Sequence, residues 1–328
     1  MIYHGDTFLG SGTKSAAIHV PEKYILIKQG GNMTEHYRRN FLKTSAMGTA
    51  VIAGAPLSAL AQNAASTKRR NPVAWEAKQF VPPWYQLGYI IPHRYTDMDA
   101  YQFYKVAPEG MMLVTTGLDL SEYTLDSVES QLPPLYSALD LLAKKRVDRI
   151  ALSGVPIAAA MGRPRMLALL AEASQRTGIE CDTDLEAHIA TMKALGVRKL
   201  AIGSRWSDAV NTALTNYLAE AGIDVVVCRA QGRSLSENKA ANAFSDHELA
   251  LSLGREALRA APHAQALLLP GGLWYAIYAV PILEAEFGKP VLLNVLSTTS
   301  NAMHSKSFQE KKQGTGKADP YWGKVLAS

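Results

Sequence analysis

The stretch LLLPGGLW (residues 267–274) decides how this chain folds. Three leucines stop at Pro270, Gly271 and Gly272 follow, and WYAIYAVPILEAEF (274–287) opens as an apolar helix. The pattern is a buried strand, a tight turn and a helix, with glycine where backbone takes positive φ or comes very close to something. An enzyme would be expected to present a reactive group at such a turn. The residue offered here is Pro270, which has none.

The same pattern repeats outward from this turn. Apolar runs LGYII, MMLVTTG, RIALSG, GIECD, KLAIGS, DVVVC, ALLLPGG and PVLLN alternate with amphipathic stretches such as RMLALLAEASQRTG and DLEAHIATMKALG. Gly178, Gly196 and Gly222 stand where helix C-caps are expected. Strands alternating with helices imply parallel sheet covered by helices on both faces. The chain beyond Leu87 is near the minimum for a closed eight-stranded barrel. The spacing instead predicts an α/β protein of two facing Rossmann-like halves, each a four-stranded parallel sheet, related by a pseudo-twofold. The expected first half is 84–184 together with 291–328, and the second half is 185–290.

Open parallel sheets bind ligands beyond the carboxyl ends of their strands. Those ends nominate His93, Arg94, Tyr95 and Thr96; Thr115, Thr116 and Asp119; Ser153, Gly154 and Val155; Asp182, Thr183 and Asp184; Ser204, Arg205 and Trp206; Cys228 and Arg229; Pro270, Gly271 and Gly272; and Ser297, Thr298 and Thr299. Hydroxyls, arginines and backbone N–H groups at helix starts suit anions, so a small carboxylate is the expected ligand. His93, Tyr95 and Ser153 are the candidate proton carriers, with Cys228 joining them if the strand ends converge closely. The others are candidate substrate contacts. Plainer readings stand beside these: Asp182, Asp184, Ser207 and Asp208 as helix N-caps, Thr298 or Ser300 as a cap of the last helix, and the arginines as solvated rim charges.

Composition narrows the class further. Of 328 residues 48% are apolar and 19% charged, an ordinary soluble balance, and the net charge of +5 is not gathered into a basic, aromatic-interleaved block that would bind nucleic acid. A G-x-G-x-x-G fingerprint, a P-loop and a G-x-S-x-G elbow are all missing from the sequence, and His93 has no spaced partner for a metal. Neither a cofactor nor a metal is expected. The two cysteines, Cys181 and Cys228, fall in different halves and are expected as free thiols.

The N-terminal region reads as an address. YRRNFLKTSAMGTAVIAGAPLSALAQNAA carries Arg38–Arg39 with Phe41, Leu42 and Lys43, then a weakly apolar stretch ending in Ala-Leu-Ala. That order is a twin-arginine export signal over 33–61, which implies the translocase as a transient partner and the periplasm as destination. The apolar run is too short and too rich in Gly and Ala for a membrane anchor. Residues 1–32 are expected to be an upstream extension ahead of the true start at Met33, and 62–83 an N-terminal arm.

LGYIIP, VDRIALSGVPIAAAMG, DTDLEAHIATMKALGVRKLAIGSRWSDAVNTALTNYLAEAGIDVV and AQALLLPGGLWYAIYAVPILEAEFGKPVLLN resemble the aspartate/glutamate racemase superfamily, in its arylmalonate decarboxylase and maleate cis–trans isomerase branches. The resemblance implies two facing four-stranded halves and cofactor-independent enolate-type chemistry on a small acid. It also implies cleft cysteines. The second-half cysteine of the family falls at Pro270 here, and the first-half cysteine, a glycine in the decarboxylases, falls at Gly154. The family's carboxylate-binding tyrosine falls at Trp206, its asparagine after the first strand near Tyr95, and its first-half hydroxyls at Val155 and Pro156. With the usual thiols missing, the expectation is a periplasmic decarboxylase- or isomerase-like enzyme with a different proton carrier. The alternatives are a non-catalytic periplasmic binding protein for an organic anion, and a structural protein whose cleft is filled by Trp206, Trp274 and Tyr275.

Overall fold

The computed structural model describes residues 81–94, 98–241, 246–313 and 316–327. The expected export signal, residues 62–80 of the expected arm, and Tyr95 lie outside the described residues.

The first sheet is built from β1 (Tyr85–Ile91), β2 (Met111–Gly117), β3 (Arg149–Leu152) and β4 (Cys181–Thr183). Its helices are α1 (Met98–Val106), α2 (Leu125–Ser130), α3 (Leu132–Lys144), α4 (Val155–Met161) and α5 (Arg163–Thr177). After α6 (Asp184–Ala194) the second sheet follows, with β5 (Lys199–Trp206), β6 (Asp224–Arg233), β7 (Ala266–Leu268) and β8 (Val291–Leu292). Between and after these strands run α7 (Asp208–Glu220), α8 (Leu235–Ala240), α9 (Asp246–Ala260), α10 (Ala279–Phe287) and α11 (Asn294–His304). The tail adds α12 (Lys306–Lys311) and α13 (Lys324–Ala327).

The two sheets have the same topology. Their strand orders are β2-β1-β3-β4 and β6-β5-β7-β8, and each pairing is parallel. The apolar runs predict this: β3 and β7 are buried along their whole length, as strands covered on both faces must be. The edge strands β2 and β6 are the half-exposed ones. One expectation is corrected. Residues 291 and 292 form β8, whose register Leu267↔Val291 and Leu268↔Leu292 places them in the second sheet, not the first half. What returns to the first half is α11, which packs on α6 and α1.

Caps fix where the elements stop. Gly178 takes φ +68° as the C-cap of α5, and Gly196 and Gly222 take positive φ just past α6 and α7. Thr183 caps α6, its side chain accepting from the N–H of Glu186 at 3.0 Å. Asp184 is therefore not the N-cap that the sequence suggests. It is the first helical residue, and its carboxylate turns inward.

Sheet and helix approach closely at Gly203 in β5. A Cβ there would stand 2.8 Å from Leu269 Cδ2 and 3.2 Å from the backbone carbon of Leu253 in α9. Backbone cannot give way cheaply, so Gly203→Ala should cost about 2 kcal/mol. Thermal unfolding should show a Tm lowered by roughly 4–8 °C, and an unchanged Tm would mean that this sheet–helix contact is loose.

Candidate functional site

The strand ends of the two halves meet at one pocket. It is lined by Pro92 and His93 after β1, Tyr123 from the β2–α2 loop, Ser153 to Pro156 at the β3–α4 turn, Arg205 and Trp206 at the end of β5, and Gly271 to Leu273 after β7, and it encloses about 310 Å³ including the part open to solvent. His93, Ser153, Gly154, Val155, Arg205, Trp206, Gly271 and Gly272 are thus brought together from four strand ends. Other expected contacts are not, Arg229 among them, exposed on β6. Arg94 points outward, its side chain 75% exposed and paired with Asp119 at 2.6 Å. Ser204 is fully buried, its Oγ accepting from the N–H of Trp206 at 3.0 Å. Pro270 is buried behind the turn and is not among the lining residues.

Both glycine turns take the conformation that excludes a side chain. Gly154 has φ +109° and Gly271 φ +100°, the left-handed region where a Cβ clashes. At Gly271 space is short as well: a Cβ would lie 2.9 Å from Cζ2 of Trp206 and 3.6 Å from Nη2 of Arg205. The object that the 267–274 turn approaches so closely is therefore the end of β5.

Arg205 is the pocket's cation. It is 1% exposed, donates from Nη1 to the Leu273 carbonyl at 3.0 Å, lies 3.4 Å from the Asp246 carboxylate, and stacks over Trp274 at 4.8 Å. These contacts hold the guanidinium plane rigidly, as bidentate recognition of a carboxylate requires. Trp206 packs edge-on to Tyr123 at 6.3 Å. No carboxylate side chain is among the described lining residues.

Beneath the pocket runs a buried polar bridge. Asp184 is fully buried; its Oδ2 accepts from the N–H of Gly154 at 3.2 Å and from Asn294 Nδ2 at 2.9 Å, and its Oδ1 accepts from Thr298 Oγ1 at 2.9 Å. Tyr89 OH stands 3.2 Å from Asp184 Oδ1 and 3.1 Å from Asp99 Oδ2, so its single proton is shared between two carboxylates. Asn294 continues the bridge: its Oδ1 accepts from the N–H of Gly271 at 3.1 Å and from His188 Nε2 at 3.1 Å. With Nδ2 committed to Asp184, Oδ1 must be the acceptor; His188 therefore carries its proton on Nε2, and Ser297 Oγ donates to Nδ1 at 2.8 Å. Burial pushes Asp184 up to about 6, opposed by the hydrogen bonds it accepts. Burial also pulls His188 down to about 4, so its ring is neutral.

Thr298 thus sits in mid-helix and serves Asp184, not as a cap. The bridge also shows what sequence reasoning missed. Asp184 read as a cap because it follows Thr183 at a helix start, and Tyr123 lies in a loop without periodicity.

An apolar chamber adjoins the pocket. A cavity of only about 20 Å³ lies between β1 and β3 and the helices α2 to α5, walled by residues such as Leu118, Leu152, Ile157, Met161 and Met166, and it shares Ser153 and Gly154 with the pocket. The cysteines lie elsewhere. Cys228 opens on a groove beside Asp208 and Asn211, and burial, then Asp208, pushes its thiol up to about 11 against the pull of Arg229. Cys181 is buried in β4, its thiol also raised by burial. Both are free thiols. Among the described residues no cluster of His, Cys, Asp and Glu could hold a metal ion.

Known proteins share this architecture. Arylmalonate decarboxylase of Bordetella bronchiseptica is 28% identical over 179 residues, 55% of this chain and 73% of that one. A double mutant of arylmalonate decarboxylase in its liganded form superposes with a TM-score of 0.65 at 24% identity, over 74% of this chain and 98% of that chain. A maleate isomerase from Pseudomonas putida S16, solved with maleate, superposes at 0.64 and 18% identity, over 74% and 97% of the two chains. At these identities the two structures speak to the fold, the α/β arrangement of paired four-stranded parallel sheets. The family profile for arylmalonate decarboxylase matches residues 87–318. That span takes in both sheets, the pocket and the bridge beneath it, and the chain belongs to the arylmalonate decarboxylase family.

Proposed function

We propose that this protein is a cofactor-independent decarboxylase or isomerase of a small dicarboxylic acid, working through an enolate-type intermediate without the cleft thiols that the superfamily resemblance implies. The observation that carries the reading is the convergence of the Arg205 guanidinium and His93 on one pocket with no acidic side chain among its described lining residues. Arg205 grips one carboxylate. In decarboxylation the bond to the other carboxylate breaks, carbon dioxide leaves, and the electron pair enters an enediolate that the guanidinium stabilises. A proton must then reach carbon, and neither Gly154 nor Pro270 has one to give. His93 is the carrier, with the hydroxyl of Ser153 or of Tyr95 as the other candidates, and solvent restores the proton.

The second reading, a binding protein for the same class of anion, is favoured by one specific observation. The N–H of Gly271 is already committed to Asn294 and is not offered to a ligand. Of the two paired glycines expected to cradle an anion, only Gly272 retains an N–H that no other group in the described structure accepts. Turnover separates the readings. Incubation in D₂O followed by NMR should show either phenylmalonate or methylmalonate giving the monoacid with deuterium at the α-carbon, or maleate giving fumarate. His93→Asn should lower kcat by about 10²-fold or more. Arg205→Lys, which keeps the charge beside Asp246 but loses the fork, should raise KM about tenfold with the fold intact. Ligand-raised Tm without product from any of these acids would favour the binding protein, and neither effect would remove the carboxylate site.

Export through the twin-arginine pathway to the periplasm belongs to the same proposal, resting on Arg38, Arg39, Phe41, Leu42 and Lys43. The double change Arg38→Lys with Arg39→Lys should keep the precursor in the cytoplasmic fraction. Equal periplasmic recovery of both forms would overturn this part.

A further inference from the structure

We infer that Asp184 and Asn294 are positioning residues for the pocket, holding the backbone amides of the Gly154 and Gly271 turns, one from each half, on a single hydrogen-bonded bridge. As a statement about the pocket, this rests on the carboxylate-site reading; as a statement about the bridge, it stands on geometry.

The two residues occupy matching places. Asp184 opens the helix after the last strand of the first sheet, and Asn294 opens the helix after the last strand of the second. Each reaches the N–H of the positive-φ glycine in its own half, Gly154 at 3.2 Å and Gly271 at 3.1 Å, and the two join at 2.9 Å. The side chain four residues along each helix crosses to the partner: His188 to Asn294 at 3.1 Å, and Thr298 to Asp184 at 2.9 Å. Asp184 and Asn294 are both buried, so neither touches a ligand; they act on it through the backbone.

The bridge has a direction. Asp184 Oδ2 receives two donors, which an oxygen of the carboxylate does well, and Asn294 must both accept and donate, which only an amide does. Asn294→Ala removes the acceptor of the Gly271 N–H and leaves His188 Nε2 without its partner. Asp184→Asn is gentler. Its amide oxygen can still receive Gly154, and its new N–H groups face the hydroxyls of Tyr89 and Thr298, which can turn round to accept.

A proton arriving on Asp184 changes the same contacts. The groups facing its carboxylate are Tyr89 from β1, with Asp99 of α1 behind it; Ser153 and Gly154 after β3; and Asn294 and Thr298 from α11, all neutral donors apart from Asp99. His188, on the same helix as Asp184, bonds Asn294 and not the carboxylate. Protonated Asp184 can donate to Tyr89, whose own proton then passes wholly to Asp99.

The test uses the ¹⁵N–¹H resonances of Gly154 and Gly271 in the full chain, followed from pH 5 to pH 8, with phenylmalonate affinity as the second measurement. In the wild type the two resonances should move together with one midpoint near 6. In Asp184→Asn both should stand still, and in Asn294→Ala the Gly271 resonance should leave its low-field position while Gly154 continues to titrate. Asn294→Ala should weaken phenylmalonate binding at least tenfold, whereas Asp184→Asn should weaken it by less and remove its pH dependence. Should Asn294→Ala fail to fold, Asp184→Asn carries the test. A Gly271 resonance indifferent to both substitutions overturns the bridge, and unaltered affinity in a folded Asn294→Ala overturns the positioning role. If the wild type binds no malonate at all, the carboxylate reading of the pocket fails while the resonances still decide the bridge.

Discussion

The structure turns on a carboxylate buried among neutral donors. Removing Asp184 from water without a paired cation is costly, and its shift to about 6 records that cost. A folded value raised above the ordinary carboxylate range contributes stability below about pH 4, and that contribution is lost as pH rises through 6, so at neutral pH the ionised form weighs against folding by about 3 kcal/mol. His188 works oppositely: its stability is present above its ordinary value near 6.5 and is lost as pH falls through about 4. Between those limits the two slopes oppose each other. The contact between halves is thus less sensitive to acidity than either group alone would make it.

What this cost secures is backbone geometry. Gly154 and Gly271 both sit in the left-handed region, and Gly271 is pressed against Trp206 and Arg205. A loop of that kind would relax if its N–H were unbound, because a buried unsatisfied amide is itself worth about 1–3 kcal/mol. A second clamp acts on the same loop from the first half. The Met98 N–H donates to the Gly272 carbonyl at 2.8 Å, and buried Gln102 bonds the Trp274 carbonyl and the N–H groups of Ala276 and Ile277. The turn that opens the sequence argument is therefore held from both sides by side chains remote from it in sequence.

This explains which features were legible beforehand. Strands covered on both faces announce themselves as apolar runs, and all eight runs carry strands. Strand ends then nominated most of the pocket, because parallel topology puts the carboxyl ends on one side. Some nominees failed for reasons that a linear pattern does not carry. Ser204 is buried in β5, Pro270 is buried just past β7, and Arg94 finds Asp119 outside. The final strand went to the wrong half because PVLLN gives no sign of its partner; only its register with β7 does. Asp184 was hidden for the opposite reason, since an acid after threonine at a helix start has a sufficient local explanation in capping.

No cysteine is among the described lining residues of the pocket, which on the proposed reading narrows the chemistry more than it removes it. Cys228 lies at a separate groove, and a thiol held near 11 is scarcely ionised at neutral pH. Asp184 titrates in a useful range but is sealed beneath Gly154, out of reach of any bound molecule. Among the described lining residues, that leaves the imidazole of His93 and the hydroxyls of Ser153 and Tyr123 as groups that can hand a proton to carbon. Imidazole exchanges protons near neutrality, whereas unperturbed hydroxyls do so far less readily. On the proposed reading, Arg205 is already paired with Asp246, so stabilisation of an enediolate would rest on the held guanidinium fork and not on net positive charge in the pocket.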